Sequence, residues 1–568
     1  MQDQSPPKDS QNPENNSGLP VSELERPRPS KSRWRHLRRF KAWYGSHKKW
    51  SIPLTVIIVF AILAAVPWTR YNIAGLFIKK DFSVEVSDST AQTPVSGALV
   101  SIDGSSATTN GAGRATLTKV KVGNHSVKVS KKYYQAKTVE LTVPILSKKP
   151  APVVSLVATG RQVKITLTNL ITKKPLANVD IEVADTTAKT DNQGEALLVL
   201  PASASSQKAT LSLDGYNGAT ATVEVSNTSI KENNFQLTPA GKVYYLSNSS
   251  GSLNVMKANL DGSGSQVAVA GTGTEQAANT SLLESADGKY VALVAKRSAS
   301  DTTPQLYVLS TADDKLLPVD SGDATFQMYD WAGDSLIYTD QRQDLPTWQQ
   351  GVSKIKAYNA ATGTTTILDQ AAGSDATTNS NEYYAEVMVT ANSVIYGKVW
   401  QGSGDFTAKQ NSLQTIGVNG QNHQVLASYN VANNVYFSQH SPDTIYVWQH
   451  AADTGADTYS QYSAGGSLKT ISISNDQFYQ GQNSYFFSPS RQQTFWSEAR
   501  DGKQTLQVGD QSGNSPTTIA SLSDYSAYGW FSDQYLLVSK DKSELDIMSS
   551  KGGTPIKIGN YLTSSFVY

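Results

Sequence analysis

The 568-residue chain has no cysteine, only six histidines, and 17% charged residues. Without thiols there are no disulfides, no thiolate metal sites and no cysteine nucleophile. The histidines form neither H-x-x-x-H nor H-E-x-x-H, so no zinc site is expected. G-x-S-x-G is absent and no βαβ alternation leaves room for an α/β-hydrolase domain. Charge content below the roughly 25% of ordinary soluble domains excludes a highly charged disordered chain and a bulk-charge nucleic-acid binder. No metal, cofactor or nucleic acid is therefore expected.

The near-neutral total hides three unlike parts. Residues 1–80 carry net +9, residues 81–238 net +3, and residues 239–568 net −11. Long apolar runs are also scarce, with one exception. Trp50 to Thr69 is an uncharged stretch, WSIPLTVIIVFAILAAVPWT, bounded by Lys49 and Arg70. At 1.5 Å per residue, about 20 helical residues match the roughly 30 Å hydrocarbon core of a bilayer. Trp50 and Trp68 stand at the ends, where indoles favour the interface. Lys49, Trp50, Trp68 and Arg70 are thus the expected membrane-interface anchors. Residues 31–50 hold eight Lys/Arg and no acid, which places the N-terminus in the cytoplasm and the rest outside. The basic flank, interleaved with aromatics, suits anionic lipid headgroups. A cleaved signal peptide fits poorly, because the charged region before the apolar run is too long. Residues 1–30, rich in Pro, Ser, Asn and Gln, are expected to be disordered.

Residues 81–238 contain a two-fold repeat. Pro94 aligns with Pro175, Thr109 with Thr190, Gly113 with Gly194 and Leu117 with Leu198, each 81 residues on; the late Tyr134 matches Tyr216. Alternating runs such as ALVSI and VDIEV read as half-buried strands separated by N-G-A-G and D-N-Q-G turns. The pattern P-x-x-[GN]-[AV]-x-[VI], then T-[ND]-x-x-G-x-A-x-L, then a Tyr, resembles carboxypeptidase-regulatory-like and PEGA-type Ig-like modules. That resemblance implies extracytoplasmic spacers. Asp191 and Glu195 suggest a solvated turn rather than a calcium site, since copy one has no matching acid cluster.

From residue 239 a shorter repeat begins. Turns between third and fourth strands are expected at Gly262, Asp313, Gly363, Gly420, Gly465, Gly513 and Gly552, spaced by about 48 residues. A period of 40–50 with four short strands per unit is the signature of a β-propeller. The first unit lacks an innermost strand, and the run TSSFVY (563–568) is available to supply it and remove an open edge. Segments ESADGKYVALVA, HSPDTIYVWQ, FSPSRQQTFWSE and NLDGSGSQVAVA resemble TolB-like and prolyl-peptidase-type propellers. The resemblance extends over about 330 residues, although only Asp287-Gly288 keeps an intact D-G in the first turn.

The expected architecture is all-β: a basic tail (1–49), a transmembrane signal anchor (50–69), Ig-like sandwiches over 80–158 and 159–238, and a seven-bladed propeller over 239–568. Trp331, Trp400, Trp448, Trp496 and Trp530 lie in strand runs and read as inter-blade packing. Trp348 is different, lying in the polar loop DQRQDLPTWQQGVS; with Asp344, and with Asp405 and Phe406 of a second long loop, it forms the candidate binding surface. The expected function is a non-catalytic surface platform binding an extracytoplasmic protein or envelope polymer, without disulfides as in a bacterial envelope. The alternative is an envelope enzyme acting on glycans or peptides, because 30 propeller acids offer carboxylate pairs that sequence cannot place in space.

Overall fold

The computed structural model describes residues 40–562, except 67–70, 72–74, 76, 146–149, 404–406, 480–485, 501–502 and 522–523. The chain is almost all β, with 54% of it in strands. It forms two compact units: residues 1–82, 118–125 and 140–150 make up one, and the remaining residues the other.

In the first unit a helix runs from Lys48 to Ala65. It starts two residues before the expected span, and the last three residues of that span, 67–69 with Trp68 among them, lie outside the described residues, as does Arg70. Among the described residues no single helix is long and apolar enough to cross a membrane. The pair Phe40–Ser46 and Lys48–Leu63, bent by 112°, passes together. Trp50, Ile52, Leu54, Ile57, Phe60 and Ile62 are all exposed, so the apolar residues are spread around the helix rather than confined to one stripe.

The two sequence repeats, the first divided between the units and the second lying in the second unit, have the same strand order. Each has seven strands in a three-stranded sheet, fourth–first–seventh, and a four-stranded sheet, third–second–fifth–sixth. The aligned residues do the same work in both copies. Thr109 Oγ1 donates to the Val95 carbonyl at 2.6 Å, as Thr190 Oγ1 does to Leu176 at 2.6 Å. Both hydroxyls also accept a buried amide, from Ala98 and from Val179. In copy two, Val163, Ile165, Leu198 and Leu237 from one sheet pack on Ile181, Val183, Leu211 and Val223 from the other, giving a two-layer sandwich. Asp191 Oδ1 accepts the amides of Gln193 and Glu195, and Glu195 pairs with Lys164 at 2.8 Å, so this turn is satisfied internally.

Seven antiparallel sheets follow in sequence. Six have four strands in meander order: Ser281–Asp320, Ala324–Gln370, Ser380–Asn430, Asn434–Ile471, Phe486–Ser521 and Tyr525–Asn560. The first, Val243–Val269, has three among the described residues. All seven expected turn residues fall between the last two strands of their sheets. Six are glycines with φ between 71° and 92°; in the second sheet Asp314 takes the left-handed position instead. Residues from every sheet's inner edge border one central cavity, which is the radial plan of a β-propeller.

Neighbouring sheets share cores and buried polar clusters. Asp320, ending the outer strand of the second sheet, accepts from Tyr338 Oη at 2.9 Å and Lys356 Nζ at 2.6 Å in the third. One repeat later Asp369 does the same for Tyr384 Oη at 2.7 Å and Lys398 Nζ at 3.1 Å in the fourth. Each lysine is largely buried, Lys398 fully so, and holds a second acid, Asp340 or Glu382. The expected tryptophan packing is found for Trp331, Trp400 and Trp496, which are buried. Trp448 is not: it is part-exposed, stacked on Tyr436 at 4.6 Å with its N–H bonded to Asp457.

The ring closes at the first sheet. Leu562 donates its amide to the Leu246 carbonyl at 2.9 Å, and its side chain joins Tyr244, Leu246 and Val291. The run 563–568 lies outside the described residues. Copy two of the sandwich packs on the same seam: Ile171 shares a core with Val243, Tyr245, Tyr535 and Leu537, and Asn169 Nδ2 donates to Tyr535 Oη at 2.8 Å. Leu562→Pro removes that amide, so it should lower stability by about 1–3 kcal/mol in chemical denaturation. An unchanged midpoint would show that the seam does not rely on this hydrogen bond.

Candidate functional site

The central cavity, about 1390 Å³, opens among the turns that join first to second strands. The expected binding loops join second to third strands, at the other end of each sheet, and neither Asp344 nor Trp348 lines the cavity. Asp344 is exposed and held by its own loop: Arg342 donates Nε and Nη2 to it at 2.9 and 2.6 Å, which keeps its carboxyl below the usual range. Trp348 is half-buried, and its carbonyl lies where a Cβ on Gly373 would come within 2.0 Å, so the loop is clamped to the segment after the fourth strand of its sheet. Asp405 and Phe406 lie outside the described residues. The structure brings Asp344 and Trp348 together on one loop without building a pocket from them.

The cavity draws its walls from the ends of innermost strands. Several of these strands carry an extra residue there: register slips at Tyr329, His440 and Tyr528, skipping one residue against the partner strand. Such bulges bend the strand and re-aim its side chains. Glu284, Asp330 and Arg491 face the space, together with the aromatics Tyr329, Phe486, Phe487, Tyr528, Trp530 and Phe531.

Arg491 is the most constrained of these. Its turn, Ser488-Pro-Ser-Arg, repeats the Ser285-Ala-Asp-Gly turn of the second sheet; the fourth residue donates its amide to the first residue's carbonyl in both, at 2.7 and 2.8 Å. Gly288 has φ 69°, and Arg491 has φ 59°. A left-handed backbone costs a non-glycine residue about 1–2 kcal/mol. The side chain offsets that cost by reaching three other sheets: Nη1 donates to Val389 O at 2.5 Å and Pro442 O at 3.4 Å, and Nη2 to Asp330 Oδ2 at 2.7 Å. Asp330 also accepts the Trp331 amide at 2.7 Å. Enclosure by the wall raises its carboxyl nonetheless, against the pull of Arg491 and that amide.

Glu284 pairs with Val291 through its backbone, but its carboxylate has no hydrogen bond or ion pair to another described residue. Burial pushes it up from 4.5 to about 8. On the inner strand of the fourth sheet, Glu386 is raised to about 7 by burial, partly countered by the amides of Val387 and Gln439. Both side chains still touch solvent, so they are walled-in rather than sealed. Sequence reasoning passed over Glu284 and Arg491. Their signal was positional: an acid directly before the only intact D-G turn, and a large residue where that turn has glycine.

No group of three or more His, Asp or Glu that could hold a metal occurs among the described residues. No family model and no curated protein matches the chain. Among solved structures it is similar to TolB from Acinetobacter baumannii (13% identity, 54% of this chain and 74% of that one, TM-score 0.26). It is similar also to the β-propeller domain of the trilobed protease from Pyrococcus furiosus (9%, 56% and 94%, TM-score 0.35). A third is an oligogalacturonate lyase in complex with manganese (11%, 56% and 84%, TM-score 0.33).

Arg491→Ala should cost about 2 kcal/mol, and Arg491→Gly should recover about 1 kcal/mol of it by relaxing the backbone. Denaturant titration of both variants measures this; equal losses would mean the left-handed arginine carries no strain. For Glu284 the raised folded-state value means that its ionisation opposes folding. Glu284→Gln should therefore melt with the parent at pH 4 and above it at pH 9, the gap opening as pH rises through the interval from 4.5 to about 8.

Proposed function

We propose that this chain is a single-pass membrane-anchored surface protein, bacterial in type, whose extracytoplasmic seven-bladed propeller binds a protein or envelope-polymer partner on a stalk of two Ig-like sandwiches. The observation that carries the reading is the cavity, where seven sheets converge and one carboxyl has no partner among the described residues. Concave, largely apolar sites with a few polar groups are where proteins take up ligands. The anchor is supported by the helix after Lys48, apolar all round with its side chains exposed, and by the basic segment before it. The cytoplasmic tail, the helix, the two spacers and the ring then follow in chain order as 1–49, 50–69, 80–158, 159–238 and 239–568.

A second reading has one specific observation in its favour. Glu284, pushed up to about 8, is mostly protonated at neutral pH, and Glu386, pushed up to about 7, is about half protonated there, a range that suits a general acid. An envelope enzyme acting on glycans or peptides would use them.

Protease treatment of intact cells should remove epitopes in the propeller and spare one placed in residues 1–30; a protected propeller sinks the topology. Turnover of envelope glycans or peptides by the full-length protein that falls about a hundredfold in Glu284→Gln or Glu386→Gln would favour the enzyme. Partner capture without turnover favours the platform.

A further inference from the structure

The charged groups around the central cavity are, with one exception, already engaged. Asp330 and Arg491 hold each other. Asp287 pairs with Lys289 at 2.7 Å and accepts from Ser285. Lys242, at the rim, donates its ammonium to Asn259 Oδ1 at 2.5 Å. Among the described residues, the carboxylate of Glu284 alone has no such partner.

Much of the rest of the wall is aliphatic or aromatic, and two of its rings have spent their polar atoms. Trp530 gives its N–H to the Phe486 carbonyl at 2.7 Å, and Trp331 gives its own to Leu283 at 3.1 Å. These are equivalent bonds between adjacent innermost strands. Neither indole has a donor left for the cavity; Trp530 is part-exposed and offers it ring surface, whereas Trp331 is buried and stacked on Tyr290. Phe486, Phe487 and Phe531 have only ring surface to offer. Burial raises the hydroxyls of Tyr528 and Tyr244, and both lie near enough to Glu284 for its charge to add to that.

From this geometry we infer that the cavity is a recognition site for an organic cation, an alkylammonium group seated against aromatic faces with Glu284 as its counter-ion. Ring faces carry the negative end of the aromatic quadrupole, and a desolvated cation gains about 2 kcal/mol or more from them. An inorganic cation would require a shell of oxygen ligands, which a single carboxylate among rings does not supply. A phosphate or carboxylate ligand would meet the negative faces and an arginine that is already bound three ways. The cavity is much larger than a bare ammonium head, so the group is carried on a larger body. The inference rests on taking the cavity as the ligand site of the proposed platform.

The test uses the full-length protein in a non-ionic maltoside, at about pH 8.5 so that Glu284 ionises readily. The probes are choline and its neutral carbon isostere 3,3-dimethyl-1-butanol, titrated by calorimetry and by saturation-transfer NMR. Choline should bind at least about tenfold more tightly than the isostere. Glu284→Gln, which keeps shape and removes charge, should erase most of that difference. Tyr528→Leu should weaken choline more than the isostere. Equal binding of the two probes, or choline affinity unchanged in Glu284→Gln, would overturn the inference, as would absence of choline binding. The surface-protease experiment involves neither probe, so the platform can survive the loss of its cation.

Discussion

A ring of sheets holds only if its last sheet meets its first. Here that meeting is made between Leu562 and Leu246, with one backbone hydrogen bond and a shared apolar cluster visible on either side of it. Everything else follows from closure. The innermost strands converge, their ends enclose a space, and side chains from sheets far apart in sequence come to face one another. Without closure the first sheet would expose an unpaired edge, a hazard that propellers avoid by design.

Closure also explains where charge is found. The net −11 of residues 239–568 suggests an acidic surface, yet several of the acids are internal. Asp320, Asp340, Asp369 and Glu382 surround two buried lysines between blades. Breaking one buried partner leaves the others uncompensated, so such clusters make the order of adjacent sheets hard to change. Glu284 and Asp330 face the cavity rather than the outer rim. The acidity is thus divided among seams, cavity and surface.

The repeat arithmetic of the sequence was a good guide to the scaffold. The period of 81, the paired threonines and the seven turn residues all correspond to recurrent hydrogen bonds or left-handed turns, because each depends on local backbone geometry. Trp448 departed from its class, since equal spacing says nothing about which strand end meets solvent. The candidate loops were chosen for length and polarity. Those properties marked the loops at one end of the sheets, whereas the cavity opens at the other, among short turns. Which end encloses a space depends on how the innermost strands, several of them bulged, tilt together, and no single segment encodes that. Arg491 shows the limit clearly: its partners Asp330, Val389 and Pro442 lie 161, 102 and 49 residues away.

Ile171 and Asn169 belong by sequence to the second sandwich, but by packing they belong to the ring. They fill the seam between its first and last sheets, and Tyr535 depends on Asn169 for a hydroxyl partner. The natural cut in the chain near residue 238 is therefore not a cut in the hydrophobic core. A ring released from its sandwich would begin with an uncovered seam where its closure is made, and the two should melt as one cooperative body. What looks like a spacer is also a lid nailed over the joint.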